Sequence, residues 1–381
     1  MELTYFFESS PVWLLKDRKQ RVGNLRDHID FGVPVNGIES YKLAIIGVTD
    51  ERNSDNKGCG QGPDKIREEL YNLAWNFNEL KIVDLGNLIQ GNTIDDSYSA
   101  LKMVCELLME ANVTVIVLGA DQDLTYGLFN AYNPDKQINL LCVDSAFDLT
   151  PVISDFNASC WLNGLLHPKI QNLRNVSFLA YQTYFVGEEL LRLTREKFFD
   201  ELRLGILRNK MDVAEPYFRD SDLVSFDISS IRSADAPAHV NAGPNGLYGE
   251  EACALARYAG ISDRLTIFGL FGMNPSLDFR NISAELSAQI IWYFIEGFYF
   301  RRKDYPAGSL ENYTRFYVEI DDIDFPLVFY KSSGSDRWWM ELTWDGEPVR
   351  TTVVSCTEDD YKTACKSEVP ESWWRNYRKG K

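Results

Sequence analysis

Short apolar runs alternate with longer amphipathic stretches along most of this chain. Several short runs, such as 114–119 and 138–143, are apolar at nearly every position, which is typical of strands buried on both faces of a parallel sheet. The alternation predicts an α/β fold in which helices cover a mainly parallel sheet. The predicted strands are 42–48, 81–85, 114–119, 138–143, 176–181, 223–228 and 265–271.

The longer stretches have the features of helices. Gly62 and Pro63 open one of them, with proline at the first helical position and acidic residues in the first turn. The predicted helices are 64–77, 97–111, 124–131, 187–199, 249–258 and 283–300.

The pattern changes near 305–308, and the chain beyond holds five of the nine tryptophans. Two segments, 325–331 and 337–344, flank a glycine-containing turn and predict a β-hairpin. We therefore divide the chain into a domain of residues 1–305 and a Trp-rich, β-rich C-terminal extension of residues 306–381 packed on it. Adjacent Trp373 and Trp374 are candidates for a partner surface, because tryptophan is enriched at interface hot spots.

Composition and charge narrow the classes of function. The 381 residues are 45% hydrophobic with a net charge of −17, which argues against a nucleic-acid partner. The basic clusters 300–303 and 375–379 are expected to be solvated surface. No apolar run approaches the roughly 20 residues of a membrane helix, so no membrane insertion is expected. The N-terminus lacks a secretory pattern and the seven cysteines lack CxxC spacing, so we expect a cytoplasmic protein with reduced, buried thiols.

Polar side chains appear where predicted strands end. Asp144 and Asp148 follow the run 138–143, and Asp227 lies at the end of 223–228. The carboxyl edge of such a sheet is where open α/β folds place their ligand sites. We therefore expect these carboxylates to form a site at that edge.

Five segments resemble, in order, motifs of the arginase, agmatinase and formimidoylglutamase superfamily. They are 62–67, 117–125, 144–148, 225–247 and 271–278. The likeness covers about residues 42–300 and is nearest to a bacterial formimidoylglutamase-like subgroup. It implies a three-layer α/β/α arginase-like fold. The family's common trimers and hexamers also make a homo-oligomer one expectation.

The resemblance implies a metal site that is incomplete. In the family, six side chains hold two manganese ions that activate a bridging water. The corresponding positions here are Gln122, Asp144, Ala146, Asp148, Asp227 and Ser229. One ion would lack both of its unshared ligands, at Ala146 and Ser229, and the family's substrate-binding glutamate falls at Gly272. We therefore predict that no dimanganese centre forms.

A single ion is the alternative, since an all-oxygen set suits a hard cation such as Mn²⁺ or Mg²⁺. The four oxygen-bearing candidates are Gln122, Asp144, Asp148 and Asp227. Without an ion, carboxylates about 4 Å apart repel by roughly 4 kcal/mol per pair at an effective dielectric near 20. Protonation, or hydrogen bonds from Ser145 or Ser229, would relieve that repulsion. We favour this second arrangement and expect no cofactor.

His239 and Asp235, four residues apart, form a weak candidate acid–base pair on the loop after the third motif. The sequence thus predicts an arginase-fold pseudoenzyme that binds a protein partner or a small ligand, or serves as a scaffold. The alternative is a diverged amidinohydrolase that cleaves a formimino or guanidino substrate with one ion or none.

Overall fold

The computed structural model describes residues 3–8, 23–34, 37–151, 156–306, 310–321, 323, 325–344 and 350–379. Within them, nine strands form one sheet and four more form a separate sheet near the C-terminus.

The larger sheet is parallel throughout. Its strands are β1 (Ile29–Phe31), β2 (Leu43–Val48), β3 (Ile82–Asn87), β4 (Thr114–Gly119), β5 (Ile138–Val143), β6 (Leu173–Leu179), β7 (Asp200–Leu202), β8 (Leu223–Asp227) and β9 (Ile267–Phe271). They lie in the order β1-β3-β2-β4-β9-β8-β5-β6-β7. All seven predicted strands are present, and the prediction of a mainly parallel sheet is confirmed.

Helices cover both faces of this sheet. They are α1 (Gly62–Leu70), α2 (Ile94–Glu110), α3 (Leu124–Phe129), α4 (Leu162–Leu165), α5 (Glu188–Glu196), α6 (Leu204–Asn209), α7 (Glu215–Asp220), α8 (Gly249–Ile261) and α9 (Ile282–Tyr299). In β4, Val115 and Val117 pack with α2 and α3, while Ile116 and Leu118 face the core that includes α1, α8 and α9. Because successive strand side chains point to opposite faces, a wholly apolar strand supplies both cores.

The structure contains two strands that were not predicted, and one helix ends earlier than predicted. The strands β1 and β7 were not predicted, because each has three residues and contains acidic positions. Helix α1 ends at Leu70 rather than at 77, since the next segment pairs with the chain near residue 24. There the Leu25 N–H donates to the Leu73 carbonyl (2.9 Å) and the Trp75 N–H to the Gly23 carbonyl (2.8 Å).

The C-terminal extension holds the second sheet, which is antiparallel. It comprises β10 (Tyr313–Val318), β11 (Leu327–Ser332), β12 (Trp338–Trp344) and β13 (Arg350–Cys356), followed by α10 (Glu358–Ala364) and α11 (Glu371–Lys379). The predicted hairpin is β11–β12. Trp338, Met340 and Trp344 alternate along β12 and form the extension's own core with α10 and α11.

Positively charged side chains link the extension to the domain through hydrogen bonds and ion pairs. Arg219 of α7 donates to the carbonyls of Trp338 (2.9 Å) and Cys356 (3.1 Å), and its guanidinium lies 4.6 Å from the Trp339 ring centre. The expectation that the two basic clusters are solvated surface is wrong at three positions. Arg301 binds the carbonyls of Gly260 and Leu265, while Arg375 and Lys379 pair with Asp200. A list of charges along the sequence does not reveal such partners, because they lie far away in the chain.

The two tryptophans predicted to lie at a partner surface differ in their exposure to solvent. Trp373 is 2% exposed and stacks on Tyr377 in the core of the extension, whereas Trp374 is 42% exposed. Trp373 is therefore not available to a partner, since successive residues of a helix point in different directions.

Two further expectations concern the whole chain. Among the described residues no helix is long and apolar enough to cross a membrane. All seven cysteines are free, and only Cys365 is exposed.

Candidate functional site

A pocket of about 270 Å³ opens at the carboxyl edge of the parallel sheet. We call it the carboxylate pocket, because its described lining contains no lysine or arginine and five aspartates. These are Asp55, Asp121, Asp144, Asp148 and Asp227. The structure thus brings together the carboxylates that the sequence placed at strand ends, since β4, β5, β8 and β9 are neighbours in the sheet.

Asp144 directly follows β5 and is 7% exposed. Its Oδ1 accepts hydrogen bonds from Ser229 Oγ (3.1 Å) and from the Ala146 N–H (3.3 Å). Ser145 Oγ lies 3.4 Å from the same oxygen. Protein donors therefore lie on one side of this carboxylate.

Gln122 lies between Asp144 and Asp148. Its carboxamide satisfies its neighbours when the nitrogen donates to Asp148 Oδ2 (2.7 Å) and Asp144 Oδ2 (3.1 Å). The carboxamide oxygen then accepts from Ser225 Oγ (3.1 Å). Trp161 Nε1 also donates to Asp148 Oδ2, at 2.9 Å. In that orientation an N–H group, rather than the carbonyl oxygen that a metal would need, faces the two carboxylates.

Asp227 ends β8 and faces His239. Its Oδ1 accepts from the Ser229 N–H (2.6 Å), and His239 Nε2 lies 3.9 Å away. The Asn241 N–H donates to His239 Nδ1 at 3.0 Å, which assigns the ring proton of neutral His239 to Nε2. A histidine that binds metal through Nε2 instead carries its proton on Nδ1. His239 is therefore oriented as a hydrogen-bond donor toward Asp227.

Gly272 has a backbone that only glycine adopts readily, with φ of +87°. A Cβ atom there would lie 2.8 Å from His239 Cδ2 and 3.1 Å from Asp227 Oδ1. The imidazole of His239 thus occupies the space into which a side chain at residue 272 would extend. The two positions are physically linked.

The other member of the predicted acid–base pair has a different partner. Asp235 accepts from Arg232 Nε (2.9 Å) and Nη2 (3.0 Å), and also from the Gly249 N–H (3.0 Å). The pairing of His239 with Asp235 is therefore wrong, and Asp227 is the carboxylate that faces the imidazole. Their spacing of four residues suggested a contact, but the loop turns between them and the two side chains meet different partners.

Burial and mutual repulsion disturb the protonation of the whole group. Burial, with Asp227 as the main charged neighbour, raises the pKa of Asp144 to about 7. Burial and then Asp121 raise the pKa of Asp227 to about 7, and burial followed by the charge of Asp144 raises the pKa of Asp148 well above its ordinary value. The pKa of His239 is lowered by burial, which keeps the ring neutral at pH 7. Asp144, Asp148 and Asp227 together therefore carry fewer than three negative charges at neutral pH.

Two residues that contact the site, Asp121 and Trp161, were not predicted from the sequence. Asp121 lies one residue before Gln122 and accepts from the Gln122 N–H (2.7 Å) and from Ser54. Trp161 contributes its indole N–H from just before α4. Asp121 was visible as a strand-end carboxylate, whereas nothing in the sequence connects Trp161 with Asp148.

With its parallel sheet, covering helices and carboxyl-edge pocket, the chain has the architecture of the arginase family. The family model for arginases matches residues 41–296, more than half of the chain, and the chain belongs to that family. Its relatives include formimidoylglutamases. That of Lysinibacillus sphaericus is 25% identical over 284 residues, covering 68% of this chain and 85% of its own. That of Rhodococcus jostii is 24% identical and covers 74% and 93%.

Solved structures support the same fold. Formimidoylglutamase from Bacillus subtilis superposes with a TM-score of 0.66 at 19% identity and covers 75% of this chain and 95% of its own. Formiminoglutamase from Trypanosoma cruzi, solved with Mn²⁺, gives a TM-score of 0.63 at 22% identity, with coverage of 70% and 97%. At these identities the likeness establishes the fold alone.

Proposed function

We propose that this arginase-family protein does not use the family's two-metal chemistry and acts as a binding protein, with the carboxylate pocket as the site of a small cationic ligand. The observation that carries the proposal is the position of the Gln122 carboxamide between Asp148 and Asp144; in the orientation that satisfies its neighbours, its nitrogen donates to Asp148 (2.7 Å) and Asp144 (3.1 Å). A protein hydrogen-bond donor thus lies where the motif comparison expects a metal ligand.

The residues do not fit a pair of manganese ions. Ala146 has no ligand atom, and Ser229 donates both its hydroxyl and its backbone N–H to neighbouring aspartates. His239 does not replace the missing histidine, because its Nδ1 accepts from the Asn241 N–H. A metal on Nε2 would require a proton on Nδ1 and therefore a clash with that N–H.

The charge of the pocket supports a cationic ligand. Its five aspartates have no lysine or arginine beside them among the described lining residues, and His239 is neutral at pH 7. A concave site lined by one sign of charge attracts the opposite sign. A guanidinium, amidinium or ammonium group also offers several N–H donors to the carboxylates.

Metal analysis tests the first half of the proposal. Purified protein is dialysed against Mn²⁺ and the bound metal is measured by mass spectrometry, with the Trypanosoma cruzi formiminoglutamase as the positive control. We expect less than one bound ion per chain. Two ions per chain would contradict the proposal.

Calorimetric titration tests the second half, with methylguanidinium, agmatine and putrescine as probes and acetate as the anionic control. We expect binding of at least one cation and its loss in Asp227→Asn. Asp336→Asn is the matched control, since Asp336 is 83% exposed and lies in the extension. If no cation binds, or if Asp227→Asn binds as well as wild type, the pocket is not a cation site.

A diverged amidinohydrolase is the second candidate, favoured by the three family carboxylates that remain together in the pocket. Assays on formimidoylglutamate, agmatine and arginine, with and without Mn²⁺, distinguish the two functions. Turnover that disappears in both Asp144→Asn and Asp227→Asn would replace the binding proposal with this one.

A further inference from the structure

A second cavity, of about 230 Å³, lies between the domain and the C-terminal extension. We call it the interface cavity. One wall comes from the amino ends of parallel strands, including Asn139 of β5 and Asp200 of β7. The other comes from β13 and α11, including Ser355 and Arg375. The interface cavity and the carboxylate pocket therefore lie at opposite edges of the sheet, and the extension that closes the former begins beyond the family match at 41–296.

The lining of the interface cavity is strongly charged and formally neutral. Its basic residues are Arg174, Arg264, Arg375 and Lys379, and its acidic residues are Asp200, Asp220, Asp360 and Glu371. A cavity with equal numbers of both signs suits a ligand that carries both signs.

Most of these charges are already neutralised by protein groups. Asp200 Oδ1 pairs with Arg375 Nε (2.7 Å) and Lys379 Nζ (2.8 Å). Asp220 accepts from the backbone N–H (2.9 Å) and hydroxyl (2.6 Å) of Ser355. Two further charged residues also have protein partners: Arg264 pairs with Asp222, and Asp360 caps α10.

Arg174 and Glu371 differ from the rest. Within the described part of the chain, neither side chain forms an ion pair or a hydrogen bond. Burial lowers the pKa of Lys379, and the positive charges of Arg375 and Arg174 lower it further. The cavity therefore has a half-buried cation in one wall and an exposed anion at the start of α11 that form no direct ion pair in the described part of the chain, although the charge of Glu371 raises the pKa of Arg375.

We propose that the interface cavity binds a small zwitterion, a free α-amino acid, whose carboxylate pairs with Arg174 and whose ammonium group pairs with Glu371. Planar guanidinium groups recognise carboxylates through paired hydrogen bonds. Closure of the cavity by α11 makes the extension part of the site. This inference is independent of the function proposed for the carboxylate pocket.

The test uses the full chain and the L-amino acids one at a time, by thermal shift and then by calorimetric titration. We expect one or a few to bind, and the analogues that lack either the amino or the carboxyl group to bind at least about tenfold more weakly. Arg174→Gln and Glu371→Gln should each weaken binding by about tenfold or more. Neither change breaks an ion pair, so both variants should fold.

Two controls locate the binding. Arg192→Gln removes an exposed arginine of α5, and Asp144→Asn changes only the carboxylate pocket; both should bind as wild type. The proposal is overturned if no amino acid binds at about 10 mM, which corresponds to less than about 3 kcal/mol of affinity. It is also overturned if Arg174→Gln binds as wild type, or if an analogue without one charged group binds equally well.

Discussion

At the scale of single residues, the site is defined by close contacts among a few buried groups. Gly272 has no side chain, and the ring of His239 fills the space beside it. The Gln122 carboxamide lies between Asp144 and Asp148, two carboxylates that would otherwise repel.

Gly272→Ala should destabilise the fold by at least about 1–2 kcal/mol, because a Cβ at φ +87° is strained and would lie 2.8 Å from His239 Cδ2. His239→Ala should remove the close contact but not the backbone strain. We therefore expect the double variant to be more stable than the sum of the single effects, with a coupling of about 0.5 kcal/mol or more. Urea unfolding of the four proteins measures this. Strictly additive effects would show that the two positions are not linked.

The sequence predicted much of this site and missed part of it. Strand-end positions located Asp144, Asp148 and Asp227, because strand ends converge in any parallel sheet. The partners of these carboxylates were not predictable in the same way. Trp161 reaches Asp148 from a separate loop, and His239 turns to Asp227 rather than to Asp235.

At the scale of elements, the most consequential contact is the one between β7 and α11. Asp200 receives Arg375 and Lys379 on one oxygen, and Asn175 (2.7 Å) and Ser177 (3.1 Å) on the other. Three hydrogen-bond donors and the ion pair with Arg375 thus surround this buried carboxylate, and Arg375 and Lys379 tie the last helix to the parallel sheet. This three-residue strand was not predicted, although it anchors the extension.

Asp200→Asn should lower the free energy of unfolding at pH 7 by about 3–5 kcal/mol, since it leaves buried cations without a counter-charge. Lys379 and Arg375 lower the pKa of Asp200 below its ordinary value, despite burial. A lowered carboxyl pKa stabilises the fold above the unfolded value of about 3.9, and that stabilisation is lost as the pH falls toward the folded value. Urea midpoints from pH 3 to 7 should therefore show the variant and wild type converging at the acidic end. A difference that is constant with pH would contradict the ion-pair explanation.

At the scale of the whole molecule, buried polar contacts join the domain to the extension. Arg219 binds carbonyls of β12 and β13 and lies against Trp339, while Tyr305 donates to the Val353 carbonyl (3.0 Å). These contacts are broken only when the domain and the extension separate. The extension is therefore a structural part of the molecule.

We expect one cooperative unfolding transition. Tryptophan fluorescence, to which the extension contributes five of nine residues, should follow the same curve as far-ultraviolet circular dichroism, which reports mainly on the helices of the domain. Arg219→Ala should move both curves together to a lower midpoint. A fluorescence transition that precedes the dichroism transition in the wild type would show that the extension unfolds by itself.

The sequence alone determined the α/β class, the seven main strands, the hairpin and the edge of the sheet where the carboxylates meet. These properties follow from local periodicity and from the alternation of buried strands with amphipathic helices. Only the tertiary structure decided which donor faces each carboxylate, that Trp373 is buried, and that the last helix closes a charged cavity against the parallel sheet. These outcomes depend on contacts between residues far apart in the chain, such as Asp200 with Lys379, and no local pattern encodes them.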